Sequence, residues 1–430
     1  GTVALASGAT QTGFGRTGTV DWITTPKTST FSGVSGEGYF CNTTSGILTC
    51  NLPAGAAGAI VSLADYAGTW QTNNCTVAAN GSDKLGGVPG ASVALSTEGQ
   101  SITLVYVDST QGWLNTMDST SNVRGNPNLV ATGGTITTSG DDKIHTFTGP
   151  GTFAVSSASV TAANNIVSYM VVAGGGGGGH DDGGGGGAGG YRELKSPTTP
   201  YTASPLDGYP SAPNRVTVTA TSYPITVGGG GAGGIPGCGP GSSGSNSIFS
   251  TITSAGGGFG ARSEPSCAGG NPGGSGGGGD AQRTGGADTS SQTAGSGNIP
   301  PTSPAQGFNG GAGTPGGNAG GGGGGASAVG QAGSGSAPTS TAGGGGAGVT
   351  TEINASPVAR SGGGGGGGFG SPGSGGSGGG GAGGTNPSPG TGTPGTTNTG
   401  GGGGGGATSG GSRAGGSGGS GIVIIRYKFQ

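Results

Sequence analysis

Val167-Ser168-Tyr169-Met170-Val171-Val172 reads as a β-strand that breaks at Ala173 into Gly174 to Gly179. About two hundred and fifty residues dominated by glycine follow, until Gly421 gives way to a second apolar run, Ile422-Val423-Ile424-Ile425-Arg426-Tyr427. Two strands thus bracket a region with almost no large apolar side chains. The simplest reading pairs them, or places them in one sheet, with the glycine region looped out between them. What the glycine does physically decides the fold.

Glycine runs ordinarily mean flexible coil, because glycine loses the most backbone entropy on ordering. A second pattern argues for order. Ser371, Ser374 and Ser377 stand three apart with Gly or Pro between them, and Ala414, Ser417 and Ser420 repeat the spacing. Three residues per turn is the period of the polyproline-II helix. Built from glycine, such a helix keeps its N–H groups, and neighbouring helices can satisfy one another's donors and acceptors. Close packing then forbids a Cβ at the contacts, as at the axis of collagen. A helix on the rim can carry one small outward side chain per turn. Collagen itself is excluded, since no Gly-X-Y register is sustained.

Composition points the same way. Hydrophobic residues make up 29% and aromatics 5%, too few for a conventional core throughout. Trp22, Trp70 and Trp113 all lie in the first quarter of the chain, which places conventional packing there. Charged residues are only 7%, with a net charge of −3, whereas disordered chains are usually charged as well as apolar-poor. Without a basic patch there is no electrostatic footprint for nucleic acid. No signal peptide or membrane-spanning run stands out, and Gly1-Thr2 is what removal of an initiator Met would leave in a nearly complete chain.

The expected fold class is all-β plus a polyglycine-II stack, without α-helix. Residues 1–116 read as a β-sandwich or jelly-roll-like module, with strands about ten residues apart. Its first hairpin joins Tyr39–Thr43 to Ile47–Leu52 across Ser45-Gly46, which sets Cys41 opposite Cys50. Residues 117–129 form a linker. Residues 130–173 with 422–430 make a second β module, including a hairpin from Thr135–Thr137 to Lys143–Thr148. Residues 174–421 are the glycine-rich insertion, in which rods are joined by loops rich in Pro, Ser, Thr and Asn. Those loops are Tyr191–Val227, Ile235–Ala255, Ala261–Cys267, Asp280–Asn309, Val349–Ser361 and Thr385–Thr399.

Candidate chemistry is sparse. Disulfide candidates are Cys41 with Cys50 and Cys238 with Cys267, against free thiols if the chain is made in a reducing cytoplasm. His180-Asp181-Asp182 could ligate a divalent cation, but a polar turn between two rods is the plainer reading. His145 reads as structural. The many Gly-X-Gly-X-X-Gly matches lack the strand–turn–helix context of a dinucleotide site, so no cofactor and no enzymatic activity are expected. For a contact surface the best side chains are Tyr201, Tyr209, Tyr223, Arg262, Arg283, Phe308 and Arg360. Aromatics and Arg dominate binding hot spots, and function often sits on loops held by a rigid scaffold.

Four segments together resemble the glycine-rich domain of bacteriophage tail-fibre and virion proteins. They are Lys143-Ile144-His145-Thr146-Phe147-Thr148, Tyr169 to Gly176, Gly189-Gly190-Tyr191-Arg192 and Gly421 to Tyr427. The likeness spans about residues 130–430. Gly36 to Gly46 and Thr103 to Asp108 are similar to β modules of fibre-like proteins from marine and cyanobacterial phages. The glycine region also resembles tail-tip adhesins that present variable loops on polyglycine-II stacks, although those lack an N-terminal β module and a closing strand. The resemblance implies a virion protein exposed on the particle and made in the host cytoplasm. Its N-terminal module would hold other virion proteins, and its loops would bind a host surface glycan or outer-membrane protein. A purely structural neck, collar or capsid fibre is the alternative. Homotrimers are common among such fibres, but a stack whose bonds close within one chain needs no partner.

Overall fold

The computed structural model describes residues 20–119, 128–236, 239, 241–262, 269–281, 292–387, 390–408, 411 and 413–430. The chain divides into two compact units, Gly1–Gly125 and Asn126–Gln430. All regular structure among the described residues is β, apart from two short 3-10 turns, and no helix is long and apolar enough to cross a membrane.

The first unit is a coil of strands before it is a meander. Its strands are β1 (Asp21–Lys27), β2 (Phe31–Ser32), β3 (Glu37–Cys41), β4 (Leu48–Asn51), β5 (Ile60–Asp65), β6 (Cys75–Ala78), β7 (Lys84–Leu85), β8 (Val88–Pro89), β9 (Ser92–Leu95), β10 (Ser101–Tyr106) and β11 (Trp113–Ser119). They form a seven-stranded sheet, β1-β3-β5-β10-β11-β7-β8, and a four-stranded sheet, β2-β4-β6-β9. The expected hairpin across Ser45-Gly46 does not form. β3 instead pairs in parallel with β1 and β5, and β4 pairs in parallel with β2 and β6. The reason lies in the alternation: Tyr39 and Cys41 from one sheet, and Leu48 and Cys50 from the other, enter one shared core. The connection between them is a corner, held by Thr43, whose hydroxyl meets Thr69 at 2.8 Å and whose carbonyl accepts from the Asn73 amide at 2.9 Å.

Cys41, Cys50 and Cys75 are buried free thiols, not a bridge. The hydrogen bond between the Cys41 and Cys75 side chains, together with burial, raises the Cys41 thiol well above its usual range. Burial pushes Cys50 up to about 12. Cys238 and Cys267 lie outside the described residues.

The second unit contains a sandwich built from both ends of its sequence. Its strands are β12 (Val130–Thr132), β13 (Thr135–Ser139), β14 (Asp142–Phe147), β15 (Gly151–Ser157), β16 (Ser168–Val172), β17 (Tyr191–Leu194), β18 (Ser222–Thr226), β19 (Ser247–Phe249), β20 (Ile252–Ser254), β21 (Val349–Thr351), β22 (Val358–Arg360) and β23 (Ile422–Lys428). One sheet runs β13-β14-β23-β16-β17 and the other β12-β15-β18-β19-β20. The bracketing strands do pair: β16 lies antiparallel to β23, with Ser168 opposite Arg426 and Val172 opposite Ile422. The expected hairpin of β13 and β14 also forms.

Residues 191–227 and 247–254 are not simply loops. They supply β17 to β20 and bury Leu194, Val216, Val218, Ile225, Phe249 and Ile252 in the sandwich core. Each strand is three to five residues long, too short for alternation to announce itself.

His145 is buried in this core. Its ring nitrogens lie 2.7 Å from the Gly133 carbonyl and 3.2 Å from the Tyr427 hydroxyl. Burial, aided by the charge of Lys143, lowers its pKa below the usual 6.5, against the Gly133 contact. A folded pKa below the unfolded value means that stability is full above about pH 6.5 and is lost as pH falls through the folded pKa. His145→Gln should therefore flatten the acid limb of second-unit stability below about pH 6.5, read as Tm against pH.

Between β16 and β23 the glycine segments pack as rods. Amides of Gly174, Gly175 and Gly176 donate to Ser245, Gly419 and Gly187; those of Gly177, Gly178 and Gly179 donate to Ser242, Gly416 and Gly184. Each consecutive residue addresses a different neighbour, and the fourth returns to the first, three residues back along an antiparallel rod. Carbonyls of Gly174, Gly175 and Gly176 accept from Gly257, Gly231 and Gly403; those of Gly177, Gly178 and Gly179 accept from Gly260, Gly234 and Gly406. These partners advance by three, so the rods are parallel. One rod therefore has three antiparallel and three parallel neighbours, six in all, which is hexagonal packing of three-fold helices. Residues 362–367 also have six neighbours, two parallel (378–381 and 402–405) and four antiparallel (343–346, 183–186, 373–376 and 320–323).

Rim rods show the period directly. Gly228, Gly231 and Gly234 are buried while Gly229, Gly230 and Ala232 are exposed. Ser371, Ser374 and Ser377 are exposed between the buried Gly373 and Gly376. The small side chains face outward because only that side of a rim rod has room.

Candidate functional site: the free end of the glycine stack

Each rod crosses the stack once, so the connections between rods alternate between two ends. One end is continuous with the sandwich, where Ala173 donates to Gly190, Gly190 to Ala255 and Gly421 to Gly228. At the other end the rods finish level. Gly406 donates to Gly179, Gly234 to Gly178, Gly184 to Ala261, Gly367 to Gly183 and Gly320 to Gly367. Isolated bridges tie Ala319 to Gly368, Gly368 to Thr385, Thr341 to Ser371 and Ser334 to Thr341 across the same end. Among the described residues, the chain leaves and re-enters the stack here around 180–182, 235–236, 315–318, 335–340, 369–370 and 386–387. These segments carry Pro, Ser, Thr and Asn in varied order.

The turn at 180–182 sits at this end. Asp181 and Asp182 adopt φ of 60° and 56°, left-handed backbone that reverses the chain between two rods within three residues. Asp182 accepts from the Thr408 amide at 2.9 Å and the Thr408 hydroxyl at 3.0 Å. His180 Nδ1 lies 3.6 Å from the Asp181 carboxylate. All three residues are buried. Among the described residues no three His, Cys, Asp or Glu side chains are placed to hold a metal ion. The carboxylate of Asp182 thus works as a clasp on the neighbouring loop.

The side chains singled out from sequence divide between the two ends. Tyr201 is 8% exposed, with the Arg426 guanidinium 5.1 Å from its ring centroid. Tyr209 lies beneath Arg215 at 4.4 Å. Tyr223 packs against Phe153 and Phe249. Arg360 is 5% exposed, 3.9 Å from the Met170 sulfur, and burial lowers its pKa. These four belong to the sandwich and its packing, and Tyr201 and Arg360 are too buried to contact a partner. Phe308 lies on the flank of the stack near the sandwich end, where its amide donates to Gly325. Of the described candidates only Arg262 stands at the free end; Arg283 lies outside the described residues.

Sequence reasoning passed over Ile235, 56% exposed, the exposed Arg413, and the exposed run Ser334 to Thr339, all at the free end. The signal available for finding them was parity. Counting glycine runs from Val172 assigns each loop to one end or the other.

A sandwich whose two strands enclose a polyglycine-II stack defines a class by itself. The chain belongs to the glycine-rich domain family, whose model matches residues 146–428, more than half of the sequence. No curated protein matches the chain.

Proposed function

We propose that this is a non-enzymatic bacteriophage virion fibre protein that contacts a host surface receptor through the loops at the free end of its glycine stack. One observation carries the reading. Loops of varied composition gather at the end of the stack away from the sandwich, while the inward-facing positions of the rods beneath them leave no room for a Cβ. A rod of seven residues spans about 20 Å at 3.1 Å per residue, which makes the stack a stiff spacer with replaceable tips. Loops rich in Ser, Thr and Asn, with few charged residues, suit hydrogen bonding to a surface glycan or an outer-membrane protein. Individual contacts of this kind are weak and gain avidity from several copies on one particle. The first unit is the part available to hold other virion proteins.

A second reading makes the stack only a structural spacer in a neck, collar or capsid fibre, and its stiffness supports that equally. One experiment separates them. Replacing residues 335–340 with Gly and Ser at equal length should lower adsorption of particles to host cells at least about tenfold, with Tm unchanged. The same replacement of 397–399, at the sandwich end, should leave adsorption intact. Unchanged adsorption in both, after the other free-end loops are replaced in turn, leaves the spacer reading standing.

A further inference from the structure

Among its described residues the first unit has an open cleft between its sheets. The seven-stranded sheet continues past β10 through β11, β7 and β8, while the four-stranded sheet stops at β9. Where it stops there is a cleft of about 330 Å³, walled by Val77, Val93 and Leu95 on one side and by Leu85, Ile102 and Trp113 on the other. Val93 pairs with Val77, which is buried in the core. Residues directly opposite in a ladder share a face, so Val93 also points inward. It is nonetheless 44% exposed, an inward apolar side chain that no described residue covers.

Two buried polar groups lining the cleft have no hydrogen-bond partner among the described residues: the Trp113 indole Nε1 and the Gln100 Oε1. One is a donor and the other an acceptor, and a buried group left unpaired costs about 1–3 kcal/mol. They stand at opposite ends. Gln100 precedes β10, whose Ile102 pairs with Asp118, and Trp113 pairs with Tyr106 at the far end of the same ladder. From Ile102 to Tyr106 is about 14 Å at 3.4 Å per residue. An extended segment lying along this ladder passes both residues. Among the described residues β9 also has an open edge, since it ends its sheet, and an open strand edge is a template for pairing.

We infer that this cleft takes an extended apolar segment of another polypeptide as a fifth strand beside β9. Main-chain pairing with the β9 edge supplies affinity, and alternate apolar side chains enter the cleft in front of Val93. The added strand faces β11 and β7, which restores two matched sheets. The Trp113 donor and the Gln100 acceptor then meet polar groups near the two ends of the segment.

The test uses the full chain and the blocked peptide acetyl-Lys-Val-Thr-Leu-Thr-Val-Lys-amide. Hydrogen exchange at Ser92–Leu95 should slow at least tenfold at saturating peptide, and the Trp113 indole resonance should shift. Val93→Asp, at a position already open to solvent, should weaken peptide binding at least tenfold with Tm unchanged. The same peptide N-methylated at every residue has no backbone N–H left to pair with the β9 edge and should give no protection. Absence of slowing at millimolar peptide, or equal protection by the N-methylated peptide, overturns the inference.

Discussion

Gly178→Ala should lower the stability of the glycine stack by at least about 3 kcal/mol, while Gly229→Ala at the rim should cost nothing. Gly178 lies in a rod with six neighbours, donating to Gly416 and accepting from Gly234. A Cβ built there would fall within the carbonyl group of Gly404, with the Gly405 nitrogen 2.9 Å away. The obstacle is backbone, which cannot swing aside like a side chain. Relief requires pushing a rod outward, and that breaks hydrogen bonds to several other rods at about 1 kcal/mol each. Gly229 has nothing within 4 Å of its Cβ position. Alanine there removes unfolded-state entropy and should stabilise by up to about 1 kcal/mol. Hydrogen exchange across residues 174–190 is the appropriate readout, because all three tryptophans lie in the other unit. Equal stability of the two variants would mean that the lateral contacts do not hold the rods.

Arg426→Met should destabilise the second unit by about 3–5 kcal/mol, because it strands a buried carboxylate. Arg426 Nε donates to Asp142 Oδ2 at 2.8 Å, with the two side chains 3% and 1% exposed. The remaining guanidinium nitrogens reach toward the carbonyls of Pro200, Glu352 and Ile353 at 3.4–3.5 Å. This one cation therefore gathers β14, β23 and two of the sandwich-end loops. Asp142 Oδ1 has no hydrogen-bond partner among the described residues, so without the arginine the carboxylate would lose its ion pair. The double variant Asp142→Leu with Arg426→Met should recover much of the loss, since a buried pair replaced by apolar groups is often neutral or better. A double-mutant cycle in urea shows this as a coupling energy of opposite sign to the single losses. Additive losses would mean that the pair contributes no specific interaction.

Much of this architecture was legible from residues alone. The runs 167–172 and 422–427 announced themselves as strands because each is continuous, apolar and β-branched, and their pairing followed from bracketing one insertion. The three-residue spacing of Ser371, Ser374 and Ser377 identified rim rods, since a small side chain can face only outward. What could not be read was partnership. Tyr39–Thr43 and Ile47–Leu52 look like a hairpin locally, yet the two segments belong to different sheets. Nothing in a β-run states whether its neighbour comes from the next strand or from the next turn of a coil. The tyrosines at 201, 209 and 223 look like loop tips, but short strands around them drew them into the sandwich.

Sequence by itself determined the material of this protein: side-chain-free backbone with a three-residue repeat, because every interior contact between rods excludes a Cβ. Tertiary structure alone decided the lattice and its two ends. Identical glycine runs carry no label saying which six neighbours they take, so the order of rods is set by where the sandwich releases and recaptures the chain. That choice, and not the composition of any loop, placed some tips against the sandwich and left the others at the free end.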